Sequence, residues 1–166
     1  MKSEEVIRIF LENASRSAAE IFTVANMSEM NQVLDKILDN ETAIYCPNRT
    51  ELEKGAQIDP TRQVETFMNA TSTVEEVVAG IAETGSIVVT SANDRSVQAS
   101  LLPASHIAIL SADNIFPTLD DFFNEIGVAP PSNITFITGP SRTADIELTL
   151  TIGVHGPAKV SIVLVK

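Results

Sequence analysis

The sequence predicts an α/β domain with a largely parallel sheet that is covered on both faces. Apolar runs such as residues 86–90 (SIVVT) and 106–110 (HIAIL) have the composition of buried strands. These runs alternate with segments whose apolar residues recur at helical spacing. A length of 166 residues, of which 44% are hydrophobic, suits a single domain over residues 1–166 with a packed core of its own.

The first 69 residues contain both kinds of segment, separated by polar or helix-breaking residues. Helices are assigned where apolar residues fall three and four positions apart, and strands where short apolar or β-branched runs occur. Pro47 closes one of these runs because it cannot donate to a strand ladder. In chain order the predicted elements are helix 3–13, strand 19–26, helix 28–39, strand 42–46, a loop or short exposed helix at 48–62, and strand 63–69.

A helix is predicted next, at residues 71–85 (TSTVEEVVAGIAETG). Ser72 or Thr73 can cap its first turn, and Gly85 is placed to end it. The elements that follow are strand 86–90, loop 91–100, strand 106–110, helix 118–127 with Thr118 as its cap and Gly127 as its end, and strands 133–138 and 159–165.

Residues 144–154 carry conflicting signals. Apolar residues occupy every second position from Ile146 to Val154, which is the period of a strand. Two strands of a covered parallel sheet this close in sequence would, however, need a crossover between them. The segment lacks proline and ends at Gly153, which also suits a buried helix. Both interpretations, helix and strand, stay open from the sequence.

The charge balance excludes several kinds of partner. The chain has 11 lysines and arginines against 22 acidic residues, for a formal net charge of −11. Nucleic acids and anionic membrane surfaces draw much of their affinity for proteins from clustered basic side chains. We therefore expect no nucleic-acid partner and no binding to a membrane surface.

Targeting and metal-binding signals are also missing. The amino-terminal segment has no apolar signal-peptide core, and no apolar stretch approaches the roughly 20 residues of a membrane helix. The expected location is the cytoplasm. Cys46 is the only cysteine, so it cannot form an internal disulfide, and its apolar neighbours predict a buried structural thiol. With only two well-separated histidines, no metal site is expected.

The loop after the predicted strand 133–138 is the first candidate binding site. Gly139 and Pro140 end the strand, and a helix that begins near Arg142 would present unpaired N–H groups to an anion. Ser141 and Thr143 add hydroxyl donors, and the guanidinium of Arg142 suits a carboxylate or phosphate. The alternative is an ordinary cap by Ser141, with Arg142 paired locally to Asp145.

A second observation concerns the distribution of basic residues. Between Gln63 and Lys159 the only lysine or arginine side chains are Arg95 and Arg142. Both follow predicted strands, and ligands of open α/β sheets bind beyond the carboxyl ends of strands. We therefore expect the two guanidiniums to lie at one edge of the sheet, where they could hold an anion. Residues 153–157 (GVHGP) are a third loop assigned to this region.

Glu83, Asp145 and His155 are the candidates for proton transfer. Glu83 would lie in the last turn of the predicted helix 71–85, where an anion opposes the helix dipole, so it is either a functional carboxylate or an exposed residue without a role. His155 lies among glycines and is expected to be accessible, whereas His106 at a strand entrance suits a hydrogen-bonded structural role.

The carboxyl-terminal half resembles the lactate-utilisation (LUD) domain family, of the small C-protein type. The resemblance covers about residues 75–166, and Arg95 is similar to an arginine that precedes one of the family's sequence blocks. The matching segments are AETGSIVV (82–89), SLLPASHIAIL (100–110), TGPSRTADIE (138–147) and GVHGP (153–157).

The resemblance implies a three-layer fold like that of ribose-5-phosphate isomerase and CoA transferases. It also implies a part in the oxidation of L-lactate to pyruvate, together with iron–sulfur proteins. The iron–sulfur clusters are then expected on those partners, with no cofactor in this chain. The sequence leaves self-association into a homo-oligomer open.

Two functional hypotheses follow. In the first, the chain binds a small carboxylate or phosphate-bearing ligand, and proton or acyl transfer is the chemistry that its side chains suit. The ligand-binding candidates are Thr84, Gly85, Ser86, Arg95, Gly139, Ser141, Arg142 and Thr143; the candidates for catalysis are Glu83, Asp145 and His155. In the second, the chain is a non-catalytic assembly subunit that docks iron–sulfur partners.

Overall fold

The computed structural model describes residues 3–144, 150–152 and 156–166. The helices are α1 (Glu4–Arg16), α2 (Met27–Ile37), α3 (Glu51–Gly55), α4 (Gln98–Leu101) and α5 (Leu119–Ile126). The strands are β1 (Glu20–Val24), β2 (Ile44–Tyr45), β3 (Ser72–Glu76), β4 (Ala79–Ile81), β5 (Ser86–Thr90), β6 (Ser105–Ser111), β7 (Ile115–Phe116), β8 (Ile134–Ile137), β9 (Arg142–Ala144), β10 (Leu150–Ile152) and β11 (Lys159–Val165).

Five strands form a parallel sheet in the order β1-β11-β6-β3-β2. A second sheet has the order β7-β4-β5-β8, and β5 is antiparallel to both of its neighbours. Strands β9 and β10 form an antiparallel pair. The predicted α/β class with a largely parallel sheet is confirmed, and the closer likeness to ribose-5-phosphate isomerase stays a prediction.

Helices complete the core on three sides of these sheets. In one apolar cluster, Phe10 of α1 packs with residues of both sheets, including Leu110 of β6. A second cluster joins Leu34 of α2 to Ile107 on the other side of the parallel sheet. A third places Phe122 of α5 against β4 and β5. The parallel sheet is therefore covered on both faces, as predicted.

The predicted helices 3–13, 28–39 and 118–127 are confirmed as α1, α2 and α5. The α5 helix begins with a capping box between Thr118 and Asp121 and ends at Gly127, whose φ is +68°. No helix in the described part of the chain has the length and hydropathy that a membrane-spanning segment needs.

The predicted helix at 71–85 is wrong, because this segment forms β3 and β4 and ends in a turn. Thr73 and Val74 are β-branched, and β3 pairs with β6 along its whole length. Pairing across the sheet therefore outweighs the capping signals. The predicted strand at 63–69 is also wrong, because Phe67–Asn69 form a 3-10 helix.

The helical interpretation of residues 144–154 is wrong for the part that the structure describes. Ala144 ends β9, and Leu150–Ile152 form β10, which runs antiparallel to it. The alternating apolar pattern therefore indicated a strand correctly at these positions. Residues 145–149 and 153–155 lie outside the described residues.

Candidate functional site

Polar groups gather in two separate regions, because the loops after β5 and β8 leave opposite ends of these strands. The strands are antiparallel, with Thr90 opposite Ile134. The prediction that Arg95 and Arg142 lie at one edge is therefore wrong. We call residues 84–86, 138–142 and 156–157 the motif end. We call the depression lined by Tyr45, Pro47, Arg49, Phe67, Glu75, Asp94, Arg95, Ser96 and Ala99 the carboxyl-edge cleft.

A chain of three hydroxyl groups joins the strands at the motif end. The Ser86 hydroxyl lies 2.7 Å from Thr84 Oγ1 and 2.7 Å from Thr138 Oγ1. Ser86 is buried at the start of β5, whereas Thr138 follows β8 at the surface. Each hydroxyl can both donate and accept. The two hydrogen bonds can therefore reverse direction so that Thr138 donates to, or accepts from, a bound group.

Two glycines of the motif end are required by packing against the end of α1. Both have left-handed backbones, with φ of +68° at Gly85 and +73° at Gly139. A Cβ atom at Gly85 would lie 2.1 Å from the backbone nitrogen of Ala14, and one at Gly139 would lie 1.9 Å from the carbonyl oxygen of Ser17. These contacts explain both glycines, and their predicted ligand-binding role stays a prediction.

The segments TGPSR and GVHGP, which are separated in sequence, meet at Ser141. The N–H of Ser141 donates to the carbonyl of Pro157 at 2.8 Å. A Cβ atom at Gly156 would come within 3.2 Å of Ser141 Cβ, so the two segments are close-packed. Pro157 leads into β11 at the amino end of the parallel sheet, so the assignment of this loop to the carboxyl end is wrong.

Arg142 opens β9 and is exposed. The predicted helix start at this position is therefore wrong, and no helix dipole contributes to an anion site here. Among the described residues, Arg142 has no ion pair or side-chain hydrogen bond. For Thr143 only the backbone, in β9, is described. Asp145 and His155 lie outside the described residues, and their catalytic roles stay predictions.

Glu83 caps a helix and does not oppose one. Its Oε1 atom accepts the N–H of Leu119, the first residue of α5, at 2.7 Å. A carboxylate at a helix start is favoured by the helix dipole, which is the reverse of the predicted arrangement. The dipole argument for a functional carboxylate therefore does not hold, and a role of exposed Glu83 in proton transfer stays a prediction.

Arg95 lies in the wall of the carboxyl-edge cleft, between buried carboxylates. Its Nη2 atom is 2.7 Å from Glu53 Oε1, and its Nη1 atom is 3.4 Å from Glu75 Oε2. Nη1 also donates to the carbonyl of Glu76 at 3.2 Å. The side chain of Arg95 is only 11% exposed and that of Glu53 is fully buried. A guanidinium in this position neutralises charges that would otherwise be buried unpaired.

Glu75 connects Arg95 to two further buried side chains. Its Oε1 atom accepts a short hydrogen bond from the Ser100 hydroxyl and lies 3.0 Å from Nε2 of His106. Burial alone would raise the pKa of Glu75, but His106, Ser100 and Arg95 outweigh it and lower the pKa. The predicted structural, hydrogen-bonded role of His106 agrees with this geometry, since the ring is buried.

Cys46 lies beside this network as a buried thiol, as predicted. Its Sγ atom is 3.8 Å from the carbonyl oxygen of Glu53. Burial raises the pKa of Cys46 to about 11, so the group is a neutral thiol at neutral pH. Within residues 3–144, 150–152 and 156–166, no group of His, Cys, Asp or Glu side chains could hold a metal ion.

Three side chains that were not predicted from the sequence line the carboxyl-edge cleft with Arg95: Tyr45, Arg49 and Phe67. The rings of Tyr45 and Phe67 pack edge to face with centroids 5.9 Å apart. One signal could have indicated this cleft: a polar loop with an asparagine and an arginine follows both β2 and β5.

Similar proteins identify the family of the chain. The sequence profile of the LUD domain matches residues 64–165. A "Lactate utilization protein C" from Halalkalibacterium halodurans is 30% identical over 162 residues, which cover 94% of this chain and 69% of that protein. One from Bacillus subtilis is 43% identical over 91 residues, or 51% of this chain and 38% of that protein.

The match to several of these relatives is partial, and a solved structure supports the fold. The alignments span 38% and 39% of the length of the relatives from Bacillus subtilis and Oceanobacillus iheyensis. The crystal structure of a DUF162 family protein from Deinococcus radiodurans superposes with a TM-score of 0.75 over 100% of this chain and 99% of that one, at 18% identity. On the strength of the profile and the relatives, this chain belongs to the LUD domain family.

Proposed function

We propose that the protein takes part in lactate utilisation and binds a small carboxylate or phosphate-bearing ligand at the motif end. The names of its relatives support the pathway. In this proposal the chain itself carries no redox cofactor, and iron–sulfur clusters belong to partner proteins. Its own side chains suit binding and proton transfer.

One observation carries the assignment to the motif end. The hydrogen bond from Ser141 to Pro157 joins two polar turns that are separated in sequence, and the exposed guanidinium of Arg142 follows directly. Thr138, at one end of the hydroxyl chain, lies three residues before Ser141 in the sequence. A planar cation next to hydroxyl donors is an arrangement that suits a carboxylate or a phosphate.

The availability of Arg142 supports the same proposal. Arg95, the other arginine of the second half, is already committed to buried carboxylates. Arg142 is exposed at the motif end, so a ligand can reach its guanidinium. Arg142 is accordingly the residue proposed to bind the anion, with Ser141 and Thr138 as supporting donors.

Thermal melting with a panel of anions tests the proposal. The panel contains L-lactate, pyruvate, an acyl-CoA and a sugar phosphate, each measured on wild type and on Arg142→Ala. A ligand at a hundredfold excess over its Kd stabilises the folded state by about 2.7 kcal/mol. For a domain of this size, that corresponds to a rise in Tm of roughly 5–10 °C. We expect this rise in wild type and its loss in Arg142→Ala.

The matched control is Arg8→Ala, which removes an exposed arginine from α1, where Arg8 pairs with Glu5. This variant should keep the full ligand-induced shift. Arg142→Lys keeps the charge but loses the planar fork, and should retain only part of the shift. Equal shifts in Arg142→Ala and Arg8→Ala would contradict the proposal.

The second candidate function is an assembly subunit that docks iron–sulfur partners. Two exposed apolar side chains near the end of α5 favour it, because apolar side chains left in water can form part of a docking surface. Phe123 is 48% exposed and Val128 is fully exposed. Co-purification with lactate-utilisation iron–sulfur proteins of the same organism, compared between wild type and Phe123→Ser, tests this candidate. Unchanged co-purification of the variant would exclude this surface.

A further inference from the structure

The carboxyl-edge cleft lies where open α/β sheets bind their ligands. It follows the carboxyl ends of β2 and β3, with Tyr45 and Glu75 in its wall. Its volume is about 180 Å³, smaller than the roughly 300–1,000 Å³ of pockets that hold drug-sized molecules. The cleft therefore suits a small metabolite, and it is separate from the motif end.

The wall of the cleft is held in place by a fully buried carboxylate. Glu53 accepts the backbone N–H groups of Arg49 at 2.8 Å and Thr50 at 3.2 Å through Oε2. Through Oε1 it accepts the N–H of Glu76 at 2.9 Å and the guanidinium of Arg95 at 2.7 Å. Four donors satisfy the carboxylate. They come from the loop after β2, from the loop after β5 and from β3. The two loops are thus fixed relative to each other before any ligand arrives.

The two loops also share an uncommon backbone conformation. Asn48, Asn93 and Asp94 have φ values of +54°, +55° and +57°, in the left-handed region. Asn48 directly precedes Arg49, and Asp94 directly precedes Arg95. Arg49 Nη1 donates to the carbonyl of Asn93 and so ties the loops together at the surface. Residues held in this region are frequent at ligand sites.

The cleft presents complementary charges and an apolar wall. The guanidinium of Arg49 is exposed, and its contact with Asn93 uses one of five N–H donors. The remaining donors suit a carboxylate. Asp94, also exposed, supplies a carboxylate that can accept from a hydroxyl or ammonium group. The edge-to-face rings of Tyr45 and Phe67 offer contact to a short hydrocarbon group.

We propose that the carboxyl-edge cleft binds a short carboxylic acid with a hydrogen-bond donor next to the carboxylate, that is, a 2-hydroxy or 2-amino acid. The carboxylate pairs with Arg49, and the neighbouring hydroxyl or ammonium group donates to Asp94. Glu53, Glu75 and Arg95 act as positioning residues that hold the two loops. This site is independent of the anion site proposed at the motif end.

Amide NMR titrations of the 166-residue chain test the proposal. The probes are L-lactate and glycolate as hydroxy acids, L-alanine and glycine as amino acids, and propionate and acetate as acids without the donor. We expect saturable amide shifts at residues 45–49 and 93–96 with the two hydroxy acids, with the two amino acids, or with both pairs. The corresponding acid without a donor should bind at least tenfold more weakly.

Three variants locate the site. Arg49→Gln should raise the Kd at least tenfold, and Asp94→Asn should reduce the preference for acids that carry the donor, because a neutral amide oxygen accepts more weakly than a carboxylate. Arg8→Gln, on α1, is the control and should bind as wild type does. Absence of saturable shifts in the cleft with all six acids would overturn the proposal, as would unchanged affinity in Arg49→Gln. Shifts confined to residues 138–142 would place the ligand at the motif end and overturn it as well.

Discussion

The motif end and the carboxyl-edge cleft are both polar, but different interactions hold them together. The motif end consists of turns joined by hydroxyl groups and backbone hydrogen bonds, with its glycines packed on α1. The carboxyl-edge cleft rests on buried ion pairs among Glu53, Glu75 and Arg95. Arg142 is exposed at the motif end, whereas Arg95 at the cleft neutralises the buried carboxylates of Glu53 and Glu75.

This difference shows that an arginine in a loop after a strand does not by itself indicate a ligand site. Arg95 and Arg142 occupy similar places in the sequence, yet only Arg142 is exposed. At the cleft, Arg49 is the exposed cation and donates to the carbonyl of Asn93. Arg95 supports the loop that contains Asn93. Availability of the side chain therefore separates a binding residue from a structural one.

Substitution of Gly139 tests how the motif end is packed. Gly139→Ala should lower the free energy of unfolding by about 2–5 kcal/mol, because a left-handed alanine costs about 1–2 kcal/mol and overpacking adds about 1–3 kcal/mol. The clash would be with the carbonyl oxygen of Ser17. Urea denaturation measures this loss.

Gly127→Ala is the matched control, because Gly127 has the same sign of φ and no atom within 4 Å of the added Cβ. With φ +68° and ψ −146°, an alanine here meets only local backbone strain, so this variant should lose about 1–3 kcal/mol. If the two variants lose equal stability, close packing of the motif end on α1 is not the reason for Gly139.

Acid should weaken the carboxyl-edge cleft, because its network depends on a charged Glu75. The folded state lowers the pKa of Glu75, so its ionised form stabilises the protein above the usual pKa of 4.5 and this contribution is lost as the pH falls. Each unit by which folding lowers a pKa corresponds to about 1.4 kcal/mol in the free energy of unfolding. Free energies of unfolding measured between about pH 7 and pH 3 should fall more steeply for wild type than for Glu75→Gln.

Glu65→Gln is the control for the acid prediction, since Glu65 is exposed. The free energy of unfolding of Glu65→Gln should depend on pH as that of wild type does. Identical pH dependence in Glu75→Gln and wild type would show that the buried network does not couple folding to the charge of Glu75. The hydroxyl chain of the motif end contains no group that titrates in this range, so acid separates the two regions.

Local sequence signals predicted the elements that local interactions determine. The capped helix α5 and the buried strands β6 and β11 match their predicted positions. The segment at 71–85 was misassigned because its acidic residues look like a solvated first helical turn. In the fold, Glu75 is buried in β3 and paired with Arg95 and His106, which are 20 and 31 positions away. Patterns within a short window cannot contain such partners.

The candidate site could be predicted only in part for the same reason. The loops TGPSR and GVHGP were predicted to lie at one edge of the sheet, and the structure brings Ser141 and Pro157 together, although at the amino end of β11. Arg49 was missed because its loop shows no periodic signal and its partner Asn93 is 44 positions away. The opposite directions of β5 and β8 also separated two arginines that a parallel arrangement would have placed together.

Urea denaturation of Arg95→Ala and Arg142→Ala, without any ligand, tests whether Arg95 is structural and Arg142 is available to a ligand. Arg95→Ala leaves Glu53 and Glu75 buried without their cation, so it should lower the free energy of unfolding by about 3–5 kcal/mol. Arg142→Ala removes an exposed side chain and should change it by no more than about 0.5 kcal/mol. Equal losses, or a larger loss for Arg142→Ala, would contradict the division between a structural and an available arginine.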